Sequence, residues 1–282
     1  MIIDSHCHAG KGDGLTAPAD TSAPLEQYLV RARAAGIDRT IIFAALSTGY
    51  QEANRAIACM VRVRPDRLVG FAFLHPIADK GRIASMVAEA VGPLGLIGLK
   101  VHRHDGRITR EICDAALRHR LPVLYDVLDD VAPVELLARE YLQVNFIIPH
   151  LGSFADDWRA QMALIDHLER HPNVFTDTAG VRRFDILEQA VRRAGAHKVL
   201  FGSDGPWLHP AVELAKVMAL EISDADRALI LSGNFLRLTR AARARSSKRF
   251  LADPVNEVLV KLKRQGSPLP LGSRPPEYVT SP

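Results

Sequence analysis

The chain has 282 residues, of which 48% are apolar and 24% charged, and carries a formal net charge of +4. That is enough apolar material for one large α/β barrel or two ordinary domains, and too much for a wholly disordered chain. No apolar run reaches the roughly 18–20 residues of a membrane span. The start, Met1-Ile2-Ile3-Asp4-Ser5-His6, lacks the basic opening and long apolar stretch of a signal peptide. The three cysteines, Cys7, Cys59 and Cys113, are scattered and form neither a disulfide framework nor a thiolate zinc site. A cytoplasmic protein with no membrane partner is the expectation.

Short apolar runs alternate with amphipathic stretches. The expected strands are Met1–His8, Thr40–Ala44, Leu68–His75, Gly95–His102, Pro122–Val127, Asn145–His150, Asn173–Thr178 and Val199–Gly202, rich in Ile, Val, Leu and Phe as buried parallel strands are. The expected helices between them are Pro24–Ala35, Gln51–Val63, Ile83–Val91, Arg110–Arg118, Val134–Tyr141, Trp158–Arg170 and Phe184–Ala194. Gly36 and Gly195 stand where helix-ending glycines belong, and Thr109 is placed to cap the helix at 110–118. Eight strands in βα alternation predict a (β/α)8 TIM-type barrel over residues 1–240. A doubly wound open sheet is the alternative, weakened because no GxGxxG turn follows the first strand.

Residues 241–282 read as a C-terminal extension, helical at Val255–Arg264 and then extended, with five prolines in Gly266–Pro282. Residues 237–264 hold nine basic and two acidic side chains, a local +7, which leaves −3 for the rest of the chain. Lacking interleaved aromatics, this segment reads as a solvated basic face, and nucleic acid is not expected as a partner. A homodimer formed through the extension is one expectation for it.

In such a barrel the chemistry sits at the C-terminal ends of the strands. Six of the eleven histidines (His6, His8, His75, His102, His104 and His150) fall at or just past those ends. In a strand, residues i and i+2 face the same side, so His6 and His8 both enter the mouth and can share one divalent ion. Asp4 has the same parity and is expected to orient a ligand from below. Asp204 closes the eighth strand, which neighbours the first, and can both ligate the ion and take a proton from its water. Lys100 lies in an apolar run. It neutralises a substrate carboxylate, forms a carbamate that bridges two metals, or pairs with Asp126 or Asp177. His150 is expected in acid–base work. His102, Tyr50, Arg182, Phe184 and Trp207 are expected to line the substrate cavity, with the loops at 9–23 and 47–50 shaping it.

The ordered segments "IIDSHCH" (2–8), "PDRLVGFAFLHP" (65–76), "GLIGLKVH" (95–102), "LPVLYDV" (121–127), "FIIPHLGS" (146–153), "NVFTDTAG" (173–180), "VLFGSDGPW" (199–207) and "GNFLRL" (233–238) together resemble the amidohydrolase superfamily. Within it they resemble the group that includes the aminocarboxymuconate-semialdehyde decarboxylase-like enzymes. The opening also resembles the TatD-type nucleases, but "VLFGSDGPW" and "GLIGLKVH" fit the first group better. The resemblance implies a distorted (β/α)8 barrel with a metal at its mouth, zinc or manganese, and leaves a second metal open. It places His6 and His8 as the strand-one pair, Asp204 as the strand-eight aspartate, His150 as the strand-six histidine and Lys100 as the strand-four lysine.

One departure stands out. The strand-five setting that usually ends in a metal-binding histidine reads Pro122-Val123-Leu124-Tyr125-Asp126 here. An aspartate ligand favours harder ions such as manganese or magnesium. Alternatively His102 fills the vacancy, or the metal is weak or absent. Three functions follow. The first is a metal-dependent hydrolase of an amide, lactone or related ester. The second is a non-oxidative decarboxylase or hydratase of an aromatic or unsaturated acid. The third is a metal-free barrel with a binding or assembly role.

Overall fold

The computed structural model describes residues 1–13 and 21–245. A compact unit runs from Met1 to Arg243. The expected helix at 255–264 and the Pro-rich tail lie outside the described residues.

The barrel strands are β1 (Ile3–Lys11), β3 (Arg39–Ala44), β4 (Leu68–Gly70) with β5 (Ala72–Phe73), β6 (Leu99–His102), β7 (Val123–Asp126), β8 (Phe146–Ile148), β9 (Val174–Asp177) and β10 (Val199–Leu200). A two-residue strand β2 (Ser22–Ala23) pairs antiparallel with the end of β1. All other pairings are parallel, β1 with β3 and β3 with β4, then β5 through β10 in chain order. The expected third strand is therefore split at Phe71, β4 pairing with β3 and β5 with β6. Backbone bonds carry the sheet across this break, from Phe71 N to Ile42 O (3.0 Å) and from Ile97 N to Gly70 O (2.9 Å). The ring closes where Ser5 N donates to Phe201 O (2.9 Å) and His8 N to Gly205 O (2.7 Å). The fold is a (β/α)8 barrel, as the alternation predicts.

Eight helices follow the strands: α1 (Leu25–Ala34), α2 (Gln51–Val63), α3 (Ile83–Val91), α4 (Arg110–His119), α5 (Pro133–Glu140), α6 (Trp158–Arg170), α7 (Phe184–Ala194) and α8 (Pro210–Ala219). On α4, α6 and α8 the start is set by a side chain that accepts from orphan amides of the first turn. Thr109 Oγ1 accepts from Ile112 N on α4, and Asp157 from Arg159 N and Ala160 N on α6. On α7 the buried face is Ile186, Leu187, Ala190, Val191 and Ala194, the spacing that one helical stripe against a sheet requires. Each fully buried Leu or Ile there contributes about 1.5–3 kcal/mol. Among the described residues no helix is long and apolar enough to cross a membrane.

Two sequence expectations change. Residues 95–98 are not strand; the fourth strand starts at Leu99. The loop after the first strand is partly sheet, because β1 runs on to Lys11 and pairs with Ser22. Between these elements buried amides act as staples. Asn173 Nδ2 lies within bonding distance of three carbonyls, those of Ala138 (3.1 Å), Tyr141 (3.0 Å) and Val144 (3.1 Å), and so ties the end of α5 to the turn before β8. Replacing Asn173 by Ala is expected to cost about 1–3 kcal/mol, measured as a lower urea midpoint with an unchanged m-value. An unaltered midpoint would show that the staple adds nothing.

Candidate active site

His6 and His8 both project into the barrel mouth, ring centroids 5.7 Å apart. Each ring is fixed through Nδ1: His6 by Asp177 Oδ2 at 2.8 Å, His8 by the Ala44 carbonyl at 2.9 Å. If Nδ1 carries the proton, Nε2 presents a lone pair. Both Nε2 atoms face the same carboxylate oxygen, Asp204 Oδ1, at 3.3 Å from His6 and 3.7 Å from His8. His6 Nε2 is fully buried and makes no hydrogen bond there. The ligand atoms of His6, His8 and Asp204 all lie within 4.8 Å of one another. Burial is the main influence on all three. It lowers His6 to about 4 and His8 well below the histidine range, with Lys100 adding to both, and raises Asp204 to about 7.

The backbone is bent to deliver these groups. Asp204 (φ 54°), His150 (φ 60°) and Leu151 (φ 51°) adopt left-handed conformations, each costing an L-residue roughly 1–2 kcal/mol. Asp177 compensates at strand eight's neighbours. Its Oδ1 accepts from His150 N and Ala179 N, both at 3.1 Å, while Oδ2 holds His6. Burial would raise the Asp177 carboxyl, but His6 and His150 outweigh it and hold it below the carboxylate range. Gly202 makes room for this joint: a Cβ there would stand 2.9 Å from His6 Cβ and 3.2 Å from the Asp177 carboxylate.

Asp126 stands apart from the trio. Its Oδ2 lies 3.3 Å from His102 Nε2 and 3.4 Å from His150 Nε2. Burial would raise this carboxyl, but His102 and His150 pull it well below its usual range. Burial likewise lowers His150, and Asp126 overrides it, bringing His150 up to about 9. His150 Nδ1 bonds the Ala179 carbonyl at 2.7 Å. Asp126 thus favours the charged form of this imidazole at the mouth, with Nδ1 fixed on Ala179 and Nε2 beside Asp126.

Lys100 is fully buried, and its Nζ has no hydrogen-bond partner. It sits 5.0 Å from the centre of the Phe43 ring, which also packs on His6 and His8 at 5.3 and 4.5 Å. Burial lowers its ammonium below the lysine range, with Asp126, Asp204 and Asp177 opposing. The expected ion pair with Asp126 or Asp177 is not formed, because those carboxylates are taken by His102, His150 and His6.

Other expected residues separate clearly. Asp4 does not orient a histidine ring. Its carboxylate accepts from Tyr28, His6 N, Ser203 N and Ser203 Oγ, because the β1–β3 register shifts between Asp4 and Cys7. Trp207 packs on His8, centroids 4.6 Å apart, with its indole N–H on the Ser22 carbonyl. Tyr50 is buried, stacked on Phe73 at 4.0 Å, its hydroxyl on Asp105; it serves as wall material behind the site. Arg182 is exposed and paired with Asp156, reaching the site only through Phe154, whose ring lies 5.1 Å from His150. Phe184 packs partly buried against the core. Sequence reasoning missed the joining role of Asp177 and the aromatic wall of Phe43, Phe73 and Phe154. A polar residue inside an apolar strand was the one available signal for Asp177.

A barrel whose mouth gathers imidazoles and carboxylates on strand ends defines a class of enzyme scaffold, and the comparisons agree with it. The family model described as Amidohydrolase matches residues 3–240. The chain belongs to the amidohydrolase family. Among solved structures it is similar to 5-carboxyvanillate decarboxylase from Sphingomonas paucimobilis (14% identity, 85% of this chain and 98% of that one, TM-score 0.66). It is also similar to 2,6-dihydroxybenzoate decarboxylase from Rhizobium (18%, 85% and 98%, TM-score 0.62). A third is a dihydroxybenzoic acid decarboxylase from Polaromonas sp. JS666, with bound manganese and the inhibitor 2-nitroresorcinol (17%, 90% and 98%, TM-score 0.63). At these identities the likeness is one of fold. No curated protein matches the sequence.

A divalent cation, which the family implies, fits the first trio. Two neutral imidazole lone pairs and a buried carboxylate face one point, with His6 Nε2 left without a partner. Ligands about 2.1 Å from a tetrahedral ion stand about 3.4 Å apart, close to the 3.3 and 3.7 Å separations here. The overlapping trio His6, His150 and Asp177 does not qualify, since its atoms are spent on one another and on Ala179.

The Asp126–His150 pair has a pH signature. A histidine raised to about 9 in the fold contributes stability in full below its ordinary value near 6.5, and that stability is lost as pH rises through 9. Asp126→Asn is expected to move the His150 titration, followed by side-chain NMR in metal-free protein, downward past 6.5, leaving burial as the dominant influence. A titration still near 9 in the variant would assign the shift to another group.

Proposed function

We propose that this protein is a metal-dependent enzyme that removes a carboxylate, without oxidation, from a small aromatic or unsaturated acid. The observation that carries the reading is Lys100, a fully buried ammonium with no hydrogen-bond partner beside an aromatic ring. An unpaired buried cation is costly, and a substrate carboxylate is the group that would satisfy it. Trp207, half-buried beside His8, would offer an aromatic face to a planar substrate, backed by the buried rings of Phe43 and Phe73.

His6, His8 and Asp204 would hold the divalent ion. Bound there, it would act as a Lewis acid toward substrate oxygens. The softness of the set, two nitrogens and one oxygen, suits zinc or manganese; manganese is favoured by the Polaromonas neighbour. Loss of CO2 leaves the carbon–carbon bonding pair on the substrate carbon, which must gain one proton. His150, charged and aimed by Asp126 and Ala179, is the donor, and Asp126 stabilises the charge until transfer. Lys100 positions the departing carboxylate, and the buried mouth excludes water.

Hydrolysis of a lactone or amide is the second reading. It is favoured by Asp204, a carboxylate held near pH 7 beside both Nε2 atoms, where a general base for water is wanted.

Two outcomes test this. His6→Ala and Asp204→Asn are each expected to lose the metal of the barrel mouth, read by elemental analysis of purified protein as one equivalent fewer per chain, while folding is retained by circular dichroism. With manganese supplied, hydroxybenzoic and muconate-type acids are expected to release CO2, and Lys100→Met to raise KM at least tenfold. CO2 release with an unaltered KM in the lysine variant would refute its role as carboxylate anchor. Hydrolysis of lactones without any CO2 release would give the second reading the site.

A further inference from the structure

The helical layer outside the barrel repeats the donor set of the mouth. Glu135 on α5, His167 on α6 and His171 just after α6 bring one ligand atom each to within 4.8 Å of one another. Glu135 Oε2 lies 3.5 Å from His167 Nδ1 and 3.4 Å from His171 Nε2. These separations match the roughly 3.4 Å between two ligands on a tetrahedral zinc ion. Both imidazoles are nine-tenths buried, their side chains 8% and 10% exposed. His171 Nε2 has no hydrogen-bond partner although it points at the Glu135 carboxylate from contact distance. The Glu135 carboxylate lies beside this ring nitrogen at 3.4 Å without a hydrogen bond of good geometry, a spacing that an ion held between the two would complete.

We infer that Glu135, His167 and His171 form a second divalent-metal site for a borderline ion of the zinc type, distinct from the catalytic mouth and structural in role. Two nitrogens and one carboxylate oxygen are the ligand mix that zinc, cobalt and nickel take. The fourth position is open to water. The ion would clamp α5 to the end of α6 and to the turn that leads into β9, the strand that carries Asp177.

Arg170 explains how the site is kept when no ion is bound. Its guanidinium Nη2 lies 3.4 Å from Glu135 Oε2 and 3.2 Å from His167 Nδ1, so it supplies the positive charge the carboxylate needs. Its side chain is 56% exposed, and beyond these contacts only the 3.1 Å bond from its Nε to the Asp166 carbonyl must be given up for it to swing into solvent when a metal enters. Arg139, 3.8 Å from the other carboxylate oxygen, stays beside Glu135 in either state. Metal entry thus exchanges one cation for another, and removing Arg170 removes a competitor.

The test is a calorimetric titration of the full chain with Zn2+ alone, after chelator treatment, paired with the visible spectrum of the Co2+ form. The unaltered chain is expected to bind two equivalents. Glu135→Gln and His171→Ala are each expected to weaken one of them about tenfold or more and leave the other intact. His6→Ala is expected to remove the other and spare this one, so failure here and failure of the catalytic reading are separable. Arg170→Gln is expected to tighten the outer site. Two equivalents in Glu135→Gln and His171→Ala with unchanged affinities, or one equivalent in the unaltered chain that only His6→Ala removes, would overturn the proposal. Glu135→Gln preserves shape and charge-neutral hydrogen bonding, so a folding defect in His171→Ala alone leaves the test decisive.

Discussion

Asp177 is the joint on which the barrel mouth depends. One carboxylate, fully buried on β9, holds the His6 ring with one oxygen and two backbone amides, in the turns after β8 and β9, with the other. Such a charge survives in the interior only if it is fully hydrogen-bonded, and here it is. The left-handed turn at His150 exists because its amide has that partner. The His6 ring faces Asp204 because its Nδ1 is anchored behind. Without this carboxylate, neither histidine would be aimed.

From that joint two electrostatic layers diverge. Along His6, His8 and Asp204, burial keeps the imidazoles neutral and the carboxylate reluctant to ionise, a set short of positive charge. Along His102, Asp126 and His150, the carboxylate is ionised and His150 is charged. Neutral nitrogens, one of them without a partner, beside a carboxylate suit a cation, while an imidazole held at Nδ1 by the Ala179 carbonyl and only loosely, at 3.4 Å, by Asp126 at Nε2 suits proton delivery from Nε2. Titratable groups pushed in opposite directions within one pocket are the usual mark of divided acid and base roles. Lys100 lies between the layers, with carboxylates around it but none in contact.

Local signals made most of this legible. Apolar runs of strand length and helix stripes bounded by Thr109, Gly36 and Gly195 gave the barrel within a few residues. HxH on the first strand and the aspartate ending the eighth gave the first trio, since parity and barrel closure are short-range rules. What failed was long-range. The assignment of Asp4 beneath the histidines assumed an unbroken strand, and the shift between Asp4 and Cys7 sent it to Tyr28 and Ser203. The bond from Asp177 to His6 spans 171 residues, and no periodicity encodes it. Tyr50 looked like a loop residue poised over the pocket, yet its aromatic face found Phe73 and turned inward.

The aspartate in the strand-five place of the usual histidine is best understood through its neighbours. As a metal ligand it would have added a second negative charge to the trio and made bound water less acidic. Set between His102 and His150 it does something else: it converts a buried histidine, which desolvation would discharge, into a retained cation. The substitution therefore exchanges a ligand for a proton reservoir. Under the proposed decarboxylation such a site would need a less strongly activated water and more capacity to protonate carbon, which is the chemical difference between cleaving an acyl bond and replacing a carboxylate by hydrogen.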